Sequence, residues 1–364
     1  MQLTQKVLAY LRDFYGRFER PISSLSLILG FVFDAITLSR VDMLWENLWV
    51  ATHLLIVAVC IILINRGEMT EGDEKNPSKP HFWLVNILQF FFGGILSTYL
   101  VFYFRSGALS VNWPFILLLI VAFWANERLK RKYVRLDFPI ILFYLSLFSF
   151  SIFIVPVLLH SIGTKIFLLS GLVSLVFMVI FLFIFHHATD KLRKNRKVVF
   201  LSVVSIFMIV NVLYFTNLIP PIPLSLKDSG VYHFISRNDS GGYEVISEKT
   251  TWKNFFILYD DFHVNTEDFV FIYTSVFSPP DLNTEIVHHY EYYDPILKLW
   301  LDDGMVPLSV IGGRDSGFRT YSTKSGLSPG HYRVRVETLG GQTIGTVRFN
   351  VVSGKANSLQ TLLK

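Results

Sequence analysis

The chain has 364 residues, of which 52% are hydrophobic, 16% are aromatic and only 17% are charged. Soluble domains carry nearer a quarter charged residues, so this composition favours an integral membrane protein. Residues 1–221 hold 20 Lys and Arg against 12 Asp and Glu, whereas residues 222–364 hold 13 against 16. The basic excess therefore lies in the hydrophobic half, where it has a topological use, and it gives no support for nucleic-acid binding.

Residues 1–20 place apolar side chains at helical spacing between basic ones. This pattern predicts an amphipathic helix that lies in the membrane interface, and the alternative is an ordinary solvated helix. The single cysteine, Cys60, lies in an apolar run, so the chain forms no intramolecular disulfide. An exported domain would have to be stable through packing alone.

Seven apolar runs follow, and each approaches the roughly 20 residues that a helix needs to cross a bilayer. The fourth run is the shortest and carries Pro114 near its start, a position that a helix tolerates. The runs cover residues 21–39, 45–64, 82–104, 109–125, 138–158, 166–185 and 198–217. We therefore predict a membrane domain of about seven transmembrane helices over residues 21–217.

Basic residues alternate between the loops that connect these runs. The N-terminal segment and residues 65–81, 126–136 and 187–197 together hold seventeen Lys and Arg, whereas the intervening loops hold three. By the positive-inside rule the first group is cytoplasmic. An odd number of spans then predicts a cytoplasmic N-terminus and a C-terminal domain on the opposite side, periplasmic or extracellular.

Beyond the last run the composition changes. We predict a Pro-rich linker over residues 218–229, one β domain over residues 230–353 and a flexible tail over residues 354–364. Candidate strands alternate with turn residues at positions 231–236, 243–247, 269–277, 284–292, 297–301 and 306–310; residues 252–263 are either a strand or a short helix.

The clearest element of this domain is its last hairpin. Polar and apolar side chains alternate over residues 331–338 and again over residues 346–351, on either side of Gly340–Gly341. This alternation is typical of a half-buried antiparallel hairpin, whose turn requires glycine at positive φ. We therefore expect an α-helical membrane domain followed by an all-β, immunoglobulin-like sandwich.

Two stretches carry a resemblance to a known family. One is residues 30–42, GFVFDAITLSRVD. The other is a C-terminal series made of residues 269–274, Ser278, Pro279, Leu282, Asn283, His288, residues 312–314, residues 317–320, Ser322, Lys324, Pro329, Gly330 and residues 341–345. On these residues the chain resembles a bacterial family of uncharacterised multi-pass membrane proteins that end in a domain of unknown function. Tyr290 and Tyr332 stand where that family commonly has Trp. The resemblance implies the architecture, a bacterial inner-membrane location and no particular activity.

Asp34 and His53 are ionisable residues inside predicted spans, where charge is costly and often functional. Counted from the outer ends of their helices at about 1.5 Å per residue, they lie roughly 9 and 13 Å deep, so adjacent helices can pair them. This intramembrane polar pair is interpreted either as a proton relay or ligand site, or as a buried contact that fixes helix packing.

In the β domain, His288 and Tyr290 alternate with His289 along a predicted strand. Neighbouring histidines on a strand point to opposite faces, and no Cys/His ligand spacing occurs, so we expect neither a metal nor a cofactor. One histidine is expected in the core and the other outside. Ser322 with Lys324 would allow a Ser/Lys nucleophile pair, although no hydrolase motif surrounds it.

Arg314, Arg319 and Lys324 lie within eleven positions of a glycine-rich segment. Loops of a sandwich concentrate binding residues, so these three, with His288 and Tyr290, are the candidate binding residues. The alternative for Arg319 is an inward hydrogen bond that holds the loop.

Two functional classes follow. In the first, a non-enzymatic membrane protein, embedded in the lipid bilayer, presents the exported β-sandwich to dock or sense an envelope component: a protein, a glycan or a lipid headgroup. In the second, a membrane enzyme or carrier acts on a lipid-linked substrate and the sandwich is an accessory domain. The sequence contains no catalytic motif, which favours the first class. A carboxylate and basic cluster at one membrane face would favour the second.

Overall fold

The computed structural model describes residues 29–38, 42–66, 79–106, 109–129, 136–238, 242–249, 259–265, 267–356 and 358–364. Helices fill the N-terminal part of the chain and β-sheets fill the C-terminal part. The chain divides into two compact units. The helical unit contains residues 1–102, 115–154 and 170–212, and the β-rich unit contains residues 103–114, 155–169 and 213–364.

The helices follow the apolar runs of the sequence, because a backbone in lipid must satisfy its hydrogen bonds within its own segment. Helix α1 covers residues 29–37. The others are α2 (Leu44–Arg66), α3 (Lys79–Ser106), α4 (Leu109–Arg128), α5 (Asp137–Leu159), α6 (Thr164–Ala188) and α7 (Lys191–Phe215). The predicted interfacial helix at residues 1–20 and the start of the first predicted span lie outside the described residues.

Within the described ranges, five helical segments are long and apolar enough to cross a membrane: Leu44–Arg66, Trp83–Phe104, Asp137–Leu159, Thr164–Ala188 and Asn195–Phe215. Of the seven runs predicted, the first is only partly described, and α4 is not among the five. Helix α4 has 20 residues and ends in Asn126, Glu127 and Arg128, so its apolar section is short. The chain is thus a helical protein with five candidate membrane spans before a β-rich region.

The strands of the β-rich unit are β1 (Ser225–Tyr232), β2 (Phe234–Arg237), β3 (Tyr243–Glu248), β4 (Asp260–Val264), β5 (Val270–Phe277), β6 (Thr284–Asp294), β7 (Leu299–Val310), β8 (Phe318–Lys324), β9 (Gly330–Thr338), β10 (Thr343–Ser353) and β11 (Leu359–Leu363). They form a five-stranded sheet in the order β4-β10-β9-β6-β7 and two three-stranded sheets, β1-β5-β8 and β11-β3-β2.

The five-stranded sheet and the β1-β5-β8 sheet share a hydrophobic core. Ile272 from β5 lies in the same buried cluster as Tyr290 from β6, Val334 from β9 and Phe349 from β10. Strand alternation explains this cluster, because every second side chain of each strand faces the opposing sheet. The core sits between the two sheets and fixes which face of β6 is buried.

The predicted closing hairpin is confirmed. Strands β9 and β10 pair antiparallel, and the inward residues Val334 and Phe349 are buried while Arg333 and Arg348 point outward. The turn differs in detail from the expectation. Of the two glycines, only Gly341 adopts a positive φ, at 80°. Its N–H donates a hydrogen bond to the Thr338 carbonyl. This is a three-residue connection in which the left-handed residue follows the turn.

Several elements differ from those predicted from the sequence. Strand β1 begins at Ser225, inside the predicted Pro-rich linker, and the strand predicted at 231–236 is divided between β1 and β2. The two segments predicted at 297–301 and 306–310 are one long strand, β7. Strand β8 occupies part of the glycine-rich segment interpreted as loop, and β11 occupies residues 359–363 of the predicted flexible tail. Strand β8 pairs with β5, and β11 pairs with β3, more than a hundred residues earlier. Such short segments are ordered by backbone hydrogen bonds to a distant partner, which local pattern does not reveal.

Phe349 tests this core, because its side chain is 1% exposed whereas that of Phe269 is 59% exposed. We expect Phe349→Ala to lower the free energy of unfolding by about 3–5 kcal/mol through lost burial and a residual cavity. The matched control Phe269→Ala should change it by less than about 1 kcal/mol. Urea unfolding of residues 218–364, produced as a soluble fragment, measures both values. Equal losses, or a helical circular-dichroism spectrum, would contradict the fold.

Candidate functional site

Strand β6 places chemically distinct residues on its two faces. The side chains of His288 and Tyr290 face the core and are 0% and 1% exposed. His289 and Glu291 lie on the outer face of the same sheet, beside Arg335. Since β6 is flanked by β9 and β7, both of its backbone edges are paired. This strand therefore holds the side chains of both faces in fixed positions, and His289 and Glu291 on the outer face are themselves only 8% and 7% exposed.

The inward face of β6 carries a hydrogen-bonded network that joins the two sheets. The His288 Nδ1 atom lies 2.7 Å from the Ser322 hydroxyl of β8, and its Nε2 atom lies 2.9 Å from the Thr274 hydroxyl of β5. The Tyr290 hydroxyl lies 2.6 Å from the same Ser322 oxygen. A neutral imidazole donates from one nitrogen and accepts at the other, so both ring nitrogens are satisfied by hydroxyls that can act either way.

Burial controls the protonation of this network. It lowers the pKa of His288 to about 4 and raises the pKa of Tyr290 to about 12. Both shifts favour the uncharged form of a group removed from water. The network is therefore neutral at physiological pH.

The geometry of Ser322 and His288 is that of a nucleophile beside a base, but the pair is enclosed. A distance of 2.7 Å would suit proton transfer. However, Ser322 is 2% exposed and His288 is 0% exposed, so a substrate has no access to either group. The disfavoured Ser/Lys alternative gains no support from this arrangement, because Lys324 pairs with Asp303 at 2.7 Å. We assign the network to the scaffold.

The structure separates the basic residues predicted as one binding site. Arg314 lies on an exposed turn, with its guanidinium 5.3 Å from the centre of the Phe318 ring. Arg319 donates to the Lys364 carbonyl at 3.0 Å. Lys324 lies 5.0 Å from the centre of the Tyr290 ring. Because Arg319 and Lys324 are an odd number of positions apart on β8, they face opposite sides of that sheet. The five candidate binding residues do not form one surface.

The outer face of the five-stranded sheet carries a network of ion pairs. Arg335 Nε lies 3.0 Å from Glu291 Oε2, and Arg333 Nε contacts the same carboxylate. Burial would raise the pKa of Glu291, but the Arg333 hydrogen bond and the positive charges of Arg335 and Arg333 lower it overall. His289 Nε2 lies 3.3 Å from Asp302 Oδ1. The charges on this face are therefore largely compensated and held in place.

Aromatic rings adjoin this network at the end of the β6–β7 hairpin. The Arg333 guanidinium lies 4.3 Å from the centre of the Trp300 ring, a close cation–π contact. Tyr293 and Tyr259 also lie near that indole, at ring-centre distances of 5.3 and 6.4 Å. His331 lies 4.7 Å from Tyr259. We call these five residues the Trp300 cluster.

The tip of the same hairpin is apolar and exposed. Ile296, Leu297 and Leu299 are 88%, 58% and 60% exposed. The tip is nevertheless ordered, because the Asp294 carboxylate accepts hydrogen bonds from the Ile296 and Leu297 amides at 2.7 and 3.0 Å. An exposed apolar tip beside an aromatic cluster is a feature that soluble surfaces rarely carry without a use.

Sequence reasoning missed the Trp300 cluster. Its members come from the residue before β4, the β6–β7 hairpin and β9, and they span more than seventy positions of the chain. A local signal was present in residues 292–300, YYDPILKLW, where aromatic and aliphatic residues surround a turn. The signal did not show which residues share a surface, because that depends on the register of three strands.

The helical unit brings Asp34 and His53 to one cavity of about 370 Å³. The two interact electrostatically, and the Ser97 side chain lies beside Asp34. His53 Nδ1 donates to the Trp49 carbonyl at 2.8 Å, which leaves Nε2 as the acceptor of a neutral ring. A Cβ at Gly94 would lie 3.2 Å from this imidazole, so the glycine makes room for it.

The same cavity is completed by polar groups of α3 and α4. Gln89 donates to the Glu127 carboxylate at 3.0 Å, and Asn126 donates to the Gln89 carbonyl at 3.2 Å. The described residues that line the cavity include Asp34 and Glu127 but neither Lys nor Arg. The arrangement suits a buried polar contact between helices and lacks the basic groups that would hold a phosphate.

These observations define a class: a helical membrane protein with five candidate spans, followed by a β-rich C-terminal region that presents an ordered aromatic surface. Residues 283–351 match the model of a family described as "Protein of unknown function (DUF2914)". The resemblance predicted from the sequence is thereby confirmed for a C-terminal domain of unknown function. The matched segment runs from β6 to β10 and contains Trp300, Arg333 and the His288–Ser322 contact.

No curated protein matches the chain. Among solved structures, a β-glucosidase from Listeria innocua in complex with isofagomine is 10% identical with a TM-score of 0.20, and covers 32% of this chain and 17% of that one. The glucosidase in complex with gluconolactone gives a TM-score of 0.19 over 32% and 16%. The alkylpurine DNA glycosylase AlkC from Pseudomonas fluorescens, bound to DNA with an abasic-site analogue, gives 10% identity and a TM-score of 0.22 over 86% and 99%. These TM-scores are too low to establish a shared fold.

The buried histidine gives a pH test. Because burial lowers the pKa of folded His288 to about 4, the unfolded chain, near pKa 6.5, binds the proton first as the pH falls. The contribution to stability is complete above pH 6.5 and is lost towards pH 4. At about 1.4 kcal/mol per pH unit, this loss amounts to roughly 3 kcal/mol. His288→Asn should flatten the pH dependence of urea unfolding, whereas His331→Gln, an exposed control, should preserve it. Parallel pH curves for all three proteins would contradict the assignment.

Proposed function

We propose that the protein is a non-enzymatic, multi-pass membrane protein whose β-rich unit docks a protein of the cell envelope through the Trp300 cluster and the apolar tip of the β6–β7 hairpin. The observation that carries the proposal is the ordered contact of Arg333 over Trp300 at 4.3 Å, with Tyr293 beside it. Trp, Tyr and Arg are the residues in which the energetic centres of protein interfaces are enriched.

The composition of this surface favours a protein over the other envelope partners. The arginines are already paired with Glu291, so little free positive charge is available for an anionic glycan or headgroup. A sheet face with compensated charges and a neighbouring apolar edge resembles the core and rim of a protein interface. The order of the site before binding lowers the entropic cost of docking. Arg314, on its exposed turn, stays a candidate binding residue.

The alternative function is a membrane enzyme or carrier for a lipid-linked substrate. The cavity that contains Asp34 and His53 is the observation that favours it. However, the described lining of that cavity has carboxylates and amides without a basic partner, and the Ser322–His288 pair is enclosed. Docking therefore accounts for more of the surface features.

The finer architecture is part of the same proposal. We infer about seven transmembrane helices, a cytoplasmic N-terminus and a C-terminal unit outside the bacterial inner membrane, supported by five candidate spans and by the alternation of basic loops. A five-stranded sheet packed on a three-stranded one supports a sandwich. Its immunoglobulin-like strand order stays a prediction.

Thiol labelling tests the orientation. In a Cys60→Ser background, which removes the buried free thiol, single cysteines replace Arg128 or Lys355. A membrane-impermeant maleimide should label position 355 in cells with a permeabilised outer membrane and should leave position 128 unlabelled until the inner membrane is disrupted. The reverse pattern would contradict the orientation. Labelling at both positions would mean that an even number of spans separates residue 128 from residue 355.

Site-specific crosslinking tests the docking surface. A photoreactive residue at Leu297 should capture a protein in intact cells, and Trp300→Ala should reduce that yield by about tenfold or more, as for an interface hot spot. Because Trp300 is only half-buried, its loss should leave folding intact.

A photoreactive residue at Leu339 provides the matched control. Leu339 is 68% exposed and follows β9 six positions after Arg333, about 20 Å along the strand. It should capture no partner that depends on Trp300. Crosslinks from Leu297 to lipid or glycan alone, or an unchanged yield with Trp300→Ala, would refute docking of a protein at this surface.

A further inference from the structure

Helices α6 and α7 enclose a groove of about 550 Å³ in the helical unit. One side is formed by Leu175, Met178, Val179, Leu182 and His186, which share a face of α6 at helical spacing. The other side is formed by Leu192, Arg193, Arg196, Val199, Phe200, Val203 and Val204 of α7. The two helices run in opposite directions, because only residues 189–190 separate them.

The groove has a polar end and an apolar body. His186 near the end of α6 and Arg193 and Arg196 near the start of α7 lie at the connection between the helices. Towards Leu175 and Val204 the described lining is entirely aliphatic or aromatic. A groove with this polarity matches an amphiphile that lies parallel to the helices.

The length of the apolar body matches one leaflet of a bilayer. Leu175 lies eleven residues before His186, and Val204 lies eleven residues after Arg193. At about 1.5 Å per residue both intervals span roughly 16 Å. Half of a bilayer's hydrocarbon core is about 15 Å thick. An acyl chain with its headgroup at the basic end would therefore fill the groove.

The groove also opens towards the hydrocarbon region. Val179 and Phe200 line it and are 64% and 69% exposed. Both helices belong to the five candidate spans, where exposed side chains of this kind face lipid. The acyl chain of a phospholipid can therefore enter the groove sideways from the bilayer without passing a polar region.

The two arginines are available to a ligand. Arg193 and Arg196 are exposed, and neither forms an ion pair with another described residue. Guanidinium groups bind phosphate oxygens in a bidentate manner, and basic pockets between membrane helices are sites of anionic lipid headgroups. No Asp or Glu occurs in the described lining, so the groove offers no counter-charge for a choline or ethanolamine ammonium.

We propose that this groove binds one anionic glycerophospholipid, with its phosphate between Arg193 and Arg196 and an acyl chain along the aliphatic faces of α6 and α7. The site goes beyond the docking function, because it lies in the helical unit and does not involve the Trp300 cluster. It would fix the α6–α7 pair to one leaflet, and the basic loop charges place that leaflet on the cytoplasmic side.

Native mass spectrometry of the full-length protein in detergent tests the proposal, with dioleoyl phosphatidylglycerol and dioleoyl phosphatidylcholine as probes. We expect one phosphatidylglycerol to bind with clear preference over phosphatidylcholine. Arg193→Gln with Arg196→Gln should weaken phosphatidylglycerol about tenfold to thirtyfold, since each basic residue near a headgroup contributes about 1 kcal/mol. Val203→Trp, which fills the apolar body and keeps both charges, should lower the occupancy of both lipids.

The charge-matched control is Arg128→Gln with Lys197→Gln. It also removes two positive charges, from an arginine of another basic loop and from a lysine next to Arg196 that does not line the groove. This control should retain phosphatidylglycerol as the native protein does. Equal binding of the two lipids to the native protein, or equal losses in the control and in the Arg193/Arg196 variant, would overturn a specific site. Inorganic phosphate that displaces the bound lipid at low millimolar concentration would mean a free-anion site instead.

Discussion

The β-rich unit depends on the burial of a neutral imidazole between two sheets. His288 projects from the five-stranded sheet and meets hydroxyls from β5 and β8 of the opposing sheet. A buried polar group costs free energy unless it is hydrogen-bonded, so the two sheets are held at the one separation and register that satisfies both ring nitrogens. Apolar contacts around Tyr290 and Phe349 supply most of the stabilisation, but they tolerate small shifts. The hydrogen bonds of the histidine prevent such shifts between the sheets. This is important in a domain that has no disulfides to fix its geometry.

That constraint extends to the surface through β6. Because successive side chains of a strand face opposite sides, fixing His288 and Tyr290 in the core also fixes His289, Glu291 and Tyr293 on the outer face. Glu291 then orients Arg333, and Arg333 lies over Trp300. The proposed docking surface is therefore ordered by the core beneath it. An interface assembled in this way needs little rearrangement on binding, which suits a module that is displayed by a membrane domain.

The helical unit distributes its polar groups differently. Asp34, His53 and Glu127 are gathered at one cavity, where amides and a serine surround them. Arginines, by contrast, lie at the end of the α6–α7 groove, where a lipid phosphate can reach them. Acidic groups inside the helix packing and basic groups at the connections are the arrangement that the cost of charge in lipid favours. The two locations fit separate roles: packing for the first and the proposed lipid contact for the second.

The sequence alone determined the division into a helical membrane part and a β-rich part, the positions of most helices, the closing hairpin and the opposite orientation of His288 and His289. These features follow from local periodicity, since a span needs about twenty apolar residues and a half-buried strand alternates. Only the tertiary structure decided that β8 and β11 are strands, that Arg314, Arg319 and Lys324 are dispersed, and that Trp300 meets Arg333. Each of these depends on pairing between segments distant in the chain, where backbone hydrogen bonds and shared burial outweigh local preference. A surface built from three strands has no signature in any one of them.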